Sequence, residues 1–386
     1  MLIPHNERVF KISGIFFCAL LFLAGCASNE RAPNENHSLN WSATNEIQQP
    51  FALAATNRPV IFAGKTNFPF IIKTNFVAGI NHPPTISMPA PETIFTWSSL
   101  ARWAAEHKIG KPHLLSESPA TTYAIGSSNG VMVLTIGSLG ATWNGIEINL
   151  GFQPQLIDGE VSLFGLDLKK NLEPLLCDPS LTFPQTNRVI VIDPGHGGVN
   201  TGTHSILDGR FEKEFTLDWA ERLKPLLEAD GWKVFLTRTS DVYVTNANRV
   251  TFAGAQHADL FISLHFNSGA PDKTAAGLET YCITPTGMPS TLTRGYADPW
   301  SEDLPNNKFD AQNLQLAVRV QRALLRATGI EDRGVRHSRF DTVLRGQNRP
   351  AILIEGGYLS NPAEAKLIES AAYRQKLAAG LANALQ

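Results

Sequence analysis

A chain of 386 residues has room for two or three domains, each large enough to bury a core, which excludes a disulfide-stapled mini-protein. Charged residues make up 18% against roughly 25% in an average protein, and the AVILMFWYC set reaches 43%, so the composition is globular and neither disordered nor coiled-coil. The formal net charge is −2 with Lys and Arg scattered. That gives none of the basic stripe a duplex-binding surface needs, and no nucleic acid is expected as a partner.

The chain starts with His5, Arg8 and Lys11 and then runs almost without polar residues from 12 to 23, the pattern of a secretory signal too short to span a membrane. The run ends Leu23-Ala24-Gly25-Cys26, which resembles a bacterial lipobox. Residues 1–25 are accordingly read as a lipoprotein signal peptide, with Cys26 as the lipidation site. Ala27 and Ser28 follow, and in lipoproteins that this start resembles, a residue other than Asp after the Cys goes with outer-membrane sorting. The expected location is the periplasm, anchored by lipid to the outer membrane, since several acyl chains hold stably at about 0.8 kcal/mol per buried methylene. Apart from Cys18 and Cys26 only Cys177 and Cys282 remain. Without a CxxC there is no cysteine-ligated zinc site, and a disulfide between these two has no positive support.

Residues 26–92 are rich in Asn, Ser, Thr, Gln and Pro and read as a flexible tether with an r.m.s. span of roughly 45 Å. Residues 93–180 change to a short helix near 97–107 followed by β-patterned segments. Asn144-Gly145 and Asp158-Gly159 sit between alternating apolar runs, and such pairs supply the positive φ that a tight hairpin requires. The run from Ile136-Gly137-Ser138 through Trp143-Asn144-Gly145 to Asp158-Gly159-Glu160-Val161 resembles the copper amine oxidase N-terminal-like domain, a small β-rich accessory module. Copper does not follow, because His107 and His113 are the only histidines in this stretch. Two roles stand open for it: a wall-binding or packing module, or structural filler.

After a Pro-containing linker, residues 187–386 alternate strand and helix. Strands are predicted at 188–193, 233–237, 260–264, 278–283 and 351–355, and helices at 214–229, 246–256, 312–328 and from 362 to the end. Pro225 is expected to kink the first helix. This alternation predicts an α/β fold, a mostly parallel twisted sheet with helices on both faces.

The chemistry collects at strand ends. Ile192-Asp193-Pro194-Gly195-His196-Gly197-Gly198 puts a His into a glycine-crowded turn, Glu212-Lys213-Glu214 opens the next helix, Leu264-His265-Phe266-Asn267 ends a third strand, and Ile354-Glu355-Gly356-Gly357 closes the last. Open α/β sheets bind ligands beyond their strand C-termini. Two His and one Glu form a common donor set for catalytic zinc with one position left for water, and a further carboxylate can then move the proton.

These segments, with Thr237-Arg238, Asp241, Arg249, Arg333-Gly334-Val335 and Glu355-Gly356-Gly357-Tyr358-Leu359-Ser360-Asn361-Pro362, resemble in order and spacing the zinc-dependent N-acetylmuramoyl-L-alanine amidase family, amidase type 3. The resemblance covers 189 to about 385. It implies Zn2+ held by His196, Glu212 and His265, with Glu355 as catalytic base. It further implies peptidoglycan as substrate: the bond cut joins N-acetylmuramic acid to the L-Ala of the stem peptide, in cell-wall remodelling. Asp193 and Asn267 are expected beside the ligands, orienting them or donating to the reacting carbonyl. Arg249 and Arg238 each either bind a substrate carboxylate or brace a loop.

The chain departs from the family pattern in three places. Glu214 adds a carboxylate two residues from Glu212, and Glu212 is preferred because Leu217 keeps the family spacing from it. Asn246 replaces a usual Leu. A polar insertion lies between Thr284 and Asn313, read as a loop; in some relatives a nearby insertion blocks the metal. Two rival functions remain, a zinc peptidase acting on the stem and a non-catalytic wall-binding lipoprotein. A protein activator is left open. His204 and His337 are weaker alternative ligands, and the remaining histidines are read as structural or surface residues.

Overall fold

The hairpin at Asn144-Gly145 forms as its sequence requires, with φ of 47° and 82°, and so does the one at Asp158-Gly159, with 52° and 80°. These belong to a computed structural model that describes residues 93–183, 186–295, 297–340 and 342–386. The signal peptide, Cys26 and the 26–92 tether lie outside the described residues.

The first part runs β1 (Trp97–Ser99), α1 (Leu100–Glu106), β2 (His113–Ser116), β3 (Thr122–Ser127), β4 (Gly130–Thr135), β5 (Gly140–Trp143), β6 (Ile146–Asn149), β7 (Gln155–Ile157) and β8 (Glu160–Phe164). Ser99 caps α1 by accepting from the Arg102 N–H at 3.4 Å. Strands β2 to β6 form an antiparallel meander, and β1, β8 and β7 form a separate three-stranded sheet. Two short helices, α2 (Gly165–Asp167) and α3 (Glu173–Leu176), joined by a π-helical stretch Leu168–Leu172, close this part.

The second part runs β9 (Val189–Pro194), α4 (Glu212–Ala229), β10 (Lys233–Leu236), α5 (Asn246–Ala255), β11 (Leu260–Asn267), β12 (Leu278–Ile283), α6 (Asp310–Thr328), β13 (Asp332–Ser338), α7 (Thr342–Arg345), β14 (Ala351–Tyr358), α8 (Pro362–Ile368) and α9 (Ala371–Ala384). Each predicted strand and helix is present. Helix α4 continues through Pro225, and the last predicted helix is two, separated at Ser370. Strand β13 was not foreseen, because Asp332-Arg333-Gly334-Val335-Arg336-His337-Ser338 lacks an apolar alternation.

The sheet order is β10-β9-β11-β14-β12-β13 and continues through β6-β5-β4-β3-β2. Neighbours are parallel except β12 on β14 and the meander. The meander joins the catalytic segment through Val335 opposite Ile148, and the Asp332 carboxylate accepts from the Glu147 N–H at 2.9 Å.

Alternation along the central strands separates two cores. Ile190, Ile192, Ile262, Leu264, Ile352 and Ile354 pack with Trp219 of α4, Leu324 of α6 and Leu377 of α9. Val191, Phe261, Ala351 and Leu353 pack on the other face with Ala253 of α5 and Leu344 of α7. Helices therefore cover both faces, as predicted, and the two buried cores hold the strand ends in place. Cys177 and Cys282 are free thiols. Among the described residues no helix is long and apolar enough to cross a membrane.

Candidate metal centre and active-site cleft

At the end of β9 the chain turns sharply, and the Gly195 N–H bonds to the Leu264 carbonyl at 3.0 Å, which ties the turn to β11. His196 follows with φ of 64°, a conformation non-glycine residues adopt rarely and one found where function holds the backbone. Two glycines make the room. A Cβ on Gly195 would overlap the His265 ring, and a Cβ on Gly202 would overlap the Glu212 carboxylate and the His196 ring. Glu212 is the first residue of α4, where the helix N-terminus favours a carboxylate. Its two oxygens accept from the Phe266 and Thr203 N–H groups, each at 3.0 Å, so the backbone fixes its orientation.

These elements bring three donor residues together, each with a ligand atom within 4.8 Å of the others'. Glu212 Oε2 lies 3.0 Å from His196 Nε2, Glu212 Oε1 lies 3.0 Å from His265 Nδ1, and the two imidazole nitrogens are 3.2 Å apart. No other group of three or more His, Cys, Asp or Glu with metal-binding spacing occurs among the described residues. Donors about 2.0–2.1 Å from one tetrahedral ion sit roughly 3.3–3.4 Å from each other, so this spacing and the N, N, O donor set fit a single small cation. Asn200 Oδ1 accepts from His196 Nδ1 at 2.8 Å, which selects the tautomer whose Nε2 lone pair faces inward. Burial alone would raise the Glu212 carboxyl, but hydrogen bonds from His196 and His265 outweigh it and hold it well below the usual carboxylate range. Burial lowers His196 and the same carboxylate more than offsets that, leaving the imidazole raised.

Beside this cluster lies Glu355, in register with His265 and 6% exposed. His196, Glu212, His265, Asn267, Arg294 and Glu355 line one cleft of about 300 Å³. Asn267 is buried there; its Oδ1 accepts from the Ser268 N–H at 2.8 Å and its amide donates to Glu279 at 3.1 Å. Asp193 does not reach the ligands directly. It accepts from Arg249, Thr237 and Ser263. Arg249 is buried, and its guanidinium also donates to the Pro194 carbonyl at 2.9 Å and the His196 carbonyl at 2.7 Å, so it braces the turn that carries His196. Arg238 braces the same turn through the Pro194 and Gly195 carbonyls at 2.9 and 2.8 Å. Burial, then the neighbouring Arg249, push its guanidinium down to about 10.

The remaining candidates lie elsewhere. Glu214 accepts from the Phe211 N–H at the start of α4, His204 bridges to Phe211, and His337 is buried in β13. Cys26 is outside the described residues. Sequence reasoning passed over Asn200, Arg294 and Glu279. Asn200 carries no signal beyond its position four residues after His196. Arg294 lay hidden in the insertion. Glu279 was legible as a carboxylate inside the apolar strand Leu278-Glu279-Thr280-Tyr281: it accepts from Arg333, Tyr281, Tyr358 and Asn267, and anchors the end of β12 beside Glu355.

Comparison with known proteins places this arrangement. The YqiI protein of Bacillus subtilis is 30% identical over 203 residues, 52% of this chain and 85% of that protein. The N-acetylmuramoyl-L-alanine amidase AmiC of Neisseria meningitidis serogroup B is 33% identical over 232 residues, 53% of this chain, and the chain spans 55% of its length. A solved N-acetylmuramoyl-L-alanine amidase from Clostridium difficile 630 has 31% identity over 52% of this chain and 96% of its own, with a TM-score of 0.43. The sequence profile described as N-acetylmuramoyl-L-alanine amidase matches residues 190–386, just over half of the chain. That span starts one residue into β9 and takes in all three donors and Glu355, and the chain belongs to the N-acetylmuramoyl-L-alanine amidase family, hydrolases of an amide bond.

Proposed function

We propose that the protein is a zinc-dependent amidase that releases stem peptides from peptidoglycan by cutting between the lactyl group of N-acetylmuramic acid and L-Ala. The observation that carries this reading is the convergence of His196, Glu212 and His265 with Glu355 in one cleft. His196 Nε2, His265 Nδ1 and a Glu212 oxygen would hold the ion. Bound zinc supplies Lewis acidity, making water nucleophilic near neutral pH and polarising a carbonyl.

The chain's own residues do the rest. Glu355 takes a proton from the attacking water on a carboxylate oxygen and passes it to the departing L-Ala nitrogen. Asn200 keeps His196 in its working tautomer, and Arg249 and Arg238 hold the turn that presents it. Lipidation at Cys26 would keep the enzyme at the membrane facing the periplasm, with residues 26–92 as a tether and 93–180 as an accessory module related to the copper amine oxidase N-terminal-like domain.

The test is mass spectrometry of muropeptides after incubating the zinc-loaded protein with purified peptidoglycan beside a Glu355→Gln control. Free stem peptides and peptide-less glycan from the parent alone are the expected result. Shortened stems still attached to muramic acid would make it a peptidase, and no products from either protein would leave a wall-binding lipoprotein.

A further inference from the structure

Among the described residues lining the metal cleft, Arg294 is the single Lys or Arg. It comes from the segment that follows β12, the insertion relative to the family pattern. Its guanidinium carbon stands 4.7 Å from the Phe340 ring centroid, Nη2 lies 3.2 Å from Asn267 Oδ1 and 3.9 Å from Glu355 Oε1, and 40% of the side chain is exposed. Stacking on an aromatic face fixes the plane of a guanidinium, and a planar fork of N–H donors matches a carboxylate.

The segment carrying it is bolted down. The Thr284 N–H bonds to the Ser338 carbonyl at 3.1 Å and the Thr291 N–H to the His337 carbonyl at 2.9 Å, while Thr291 Oγ1 accepts from the His337 N–H at 3.1 Å. Buried Arg339 donates to the Pro285 and Met288 carbonyls at 2.8 and 2.9 Å. Arg294 itself has φ of 49°, a backbone conformation this framework sustains.

We propose that Arg294 is a specificity residue that binds a free carboxylate on the second residue of the stem peptide, so that this enzyme selects an anionic stem over its amidated form. This rests on the amidase reading. The scissile amide must lie against Glu355, and the residue after L-Ala is one Cα step of about 3.8 Å further along. A carboxylate there falls within reach of a cation already 3.9 Å from Glu355 Oε1. Among the described residues lining the cleft, Glu355 and the ligand Glu212 are the acidic groups, and a substrate carboxylate within reach of Arg294 would compete with Glu355 for its guanidinium and leave Glu355 for proton transfer.

The experiment uses the full zinc-loaded chain and two soluble muramoyl tripeptides, N-acetylmuramoyl-L-alanyl-γ-D-glutamyl-L-lysine with the glutamyl α-carboxylate free and its isoglutamine analogue, in which that α-carboxylate is amidated and nothing else differs. The parent should favour the acid by about tenfold or more in kcat/KM, chiefly through KM, as expected of a hydrogen bond between charged groups. Arg294→Gln should collapse that ratio to within about twofold, and Arg294→Lys should retain part of it. Melting temperatures of all three proteins check folding. Equal rates for the two substrates with the parent, or an undiminished ratio in R294Q, would overturn the proposal; the second result would leave Arg294 as a clamp on Glu355 alone. If neither compound nor polymeric peptidoglycan is cut, calorimetric binding of the same compounds decides separately. Acid-selective binding lost in R294Q would leave the anchor standing and sink the amidase reading, whereas unselective binding would sink the anchor.

Discussion

His265 and Glu355 are register partners on the adjacent parallel strands β11 and β14, so the sheet itself sets a proposed metal ligand beside the proposed base. Strand neighbours in register leave the same face of a sheet, and here both strands are buried on both faces. The position of Glu355 therefore does not depend on a loop closing. Glu355→Gln keeps the shape and removes the proton acceptor. It should lower kcat by about 10²–10⁴ while zinc content per chain stays that of the parent. Retention of even a tenth of parental activity in a zinc-replete E355Q protein would remove Glu355 from the chemistry.

Asn200 acts on the site through His196, whose Nδ1 it receives at 2.8 Å. Losing such an outer partner typically costs 10–100-fold in metal affinity. Asn200→Ala should therefore release zinc to a competing chelator at about that much lower chelator strength, while His265→Ala, which deletes a donor, should retain no stoichiometric zinc. An N200A protein with parental zinc affinity would show that the turn alone orients the ring.

Arg249 and Asp193 form an ion pair whose side chains are 3% and 1% exposed. Removing one partner of a buried pair strands the other charge and costs about 3–5 kcal/mol. Arg249→Ala should lower the melting temperature accordingly and loosen zinc with it, because the same guanidinium holds the His196 carbonyl. A substrate-binding arginine would behave otherwise, raising KM with the melting temperature and zinc affinity intact, and steady-state kinetics beside a melting curve separate the two.

Two buried groups titrate in opposite senses. Burial, partly offset by the Gly151 N–H, Asn171 and the Phe152 N–H, pushes the Asp167 carboxyl up to about 6 from 3.8. The folded state then binds more protons than the unfolded one between those values, and stability falls as pH rises from about 4 to 6. Burial, then Arg339, lowers His337 to about 4 from 6.5, so the unfolded state binds more protons and stability rises with pH over about 4 to 6.5. Each is worth about 3 kcal/mol across its window, and they cancel over most of it. Relative to the parent, Asp167→Asn should make stability rise more steeply with pH between 4 and 6, and His337→Gln should make it fall. Denaturant melts at three pH values read both slopes, and parallel curves for all three proteins would contradict the assignment.

The α/β part was legible because its strands are short apolar runs held between turn residues, and because His196, Glu212, His265 and Glu355 all stand at element ends. What stayed hidden has physical causes. Strand β13 carries Asp332, Arg333, Arg336 and His337, and it is a strand only because β12 on one side and β6 on the other supply its hydrogen bonds. The reversal of β12 against β14 is a tertiary choice that hydrophobic periodicity does not encode. Arg294 reads as one polar residue in a polar insertion until the fold stacks it on Phe340. Conversely Glu212 and Glu214, two residues apart at the start of α4, were separable by spacing, and in the structure the first meets both histidines while the second caps the helix.

The continuous sheet gives residues 93–180 a task independent of wall binding. Strand β6 covers β13, Gly151 packs so closely on Met288 that a Cβ there would overlap it, and Phe152 meets Trp300 edge to face at 6.3 Å. The Lys170 ammonium pairs with Asp310 at the start of α6 at 2.9 Å. The first part thus supports the segment that presents Arg294. A chain beginning at residue 181 would expose the β13 edge, and an uncovered edge strand invites pairing with another copy. Such a protein should melt at a lower temperature and elute as oligomers at micromolar concentration. Trp300→Ala in the full chain is the milder probe: an aromatic pair of this kind is worth about 0.5–1.5 kcal/mol, so the fold should persist while KM for an acidic stem rises severalfold. A truncated chain that stays monomeric with the parental melting temperature, together with an unchanged KM in W300A, would reduce residues 93–180 to a passive attachment.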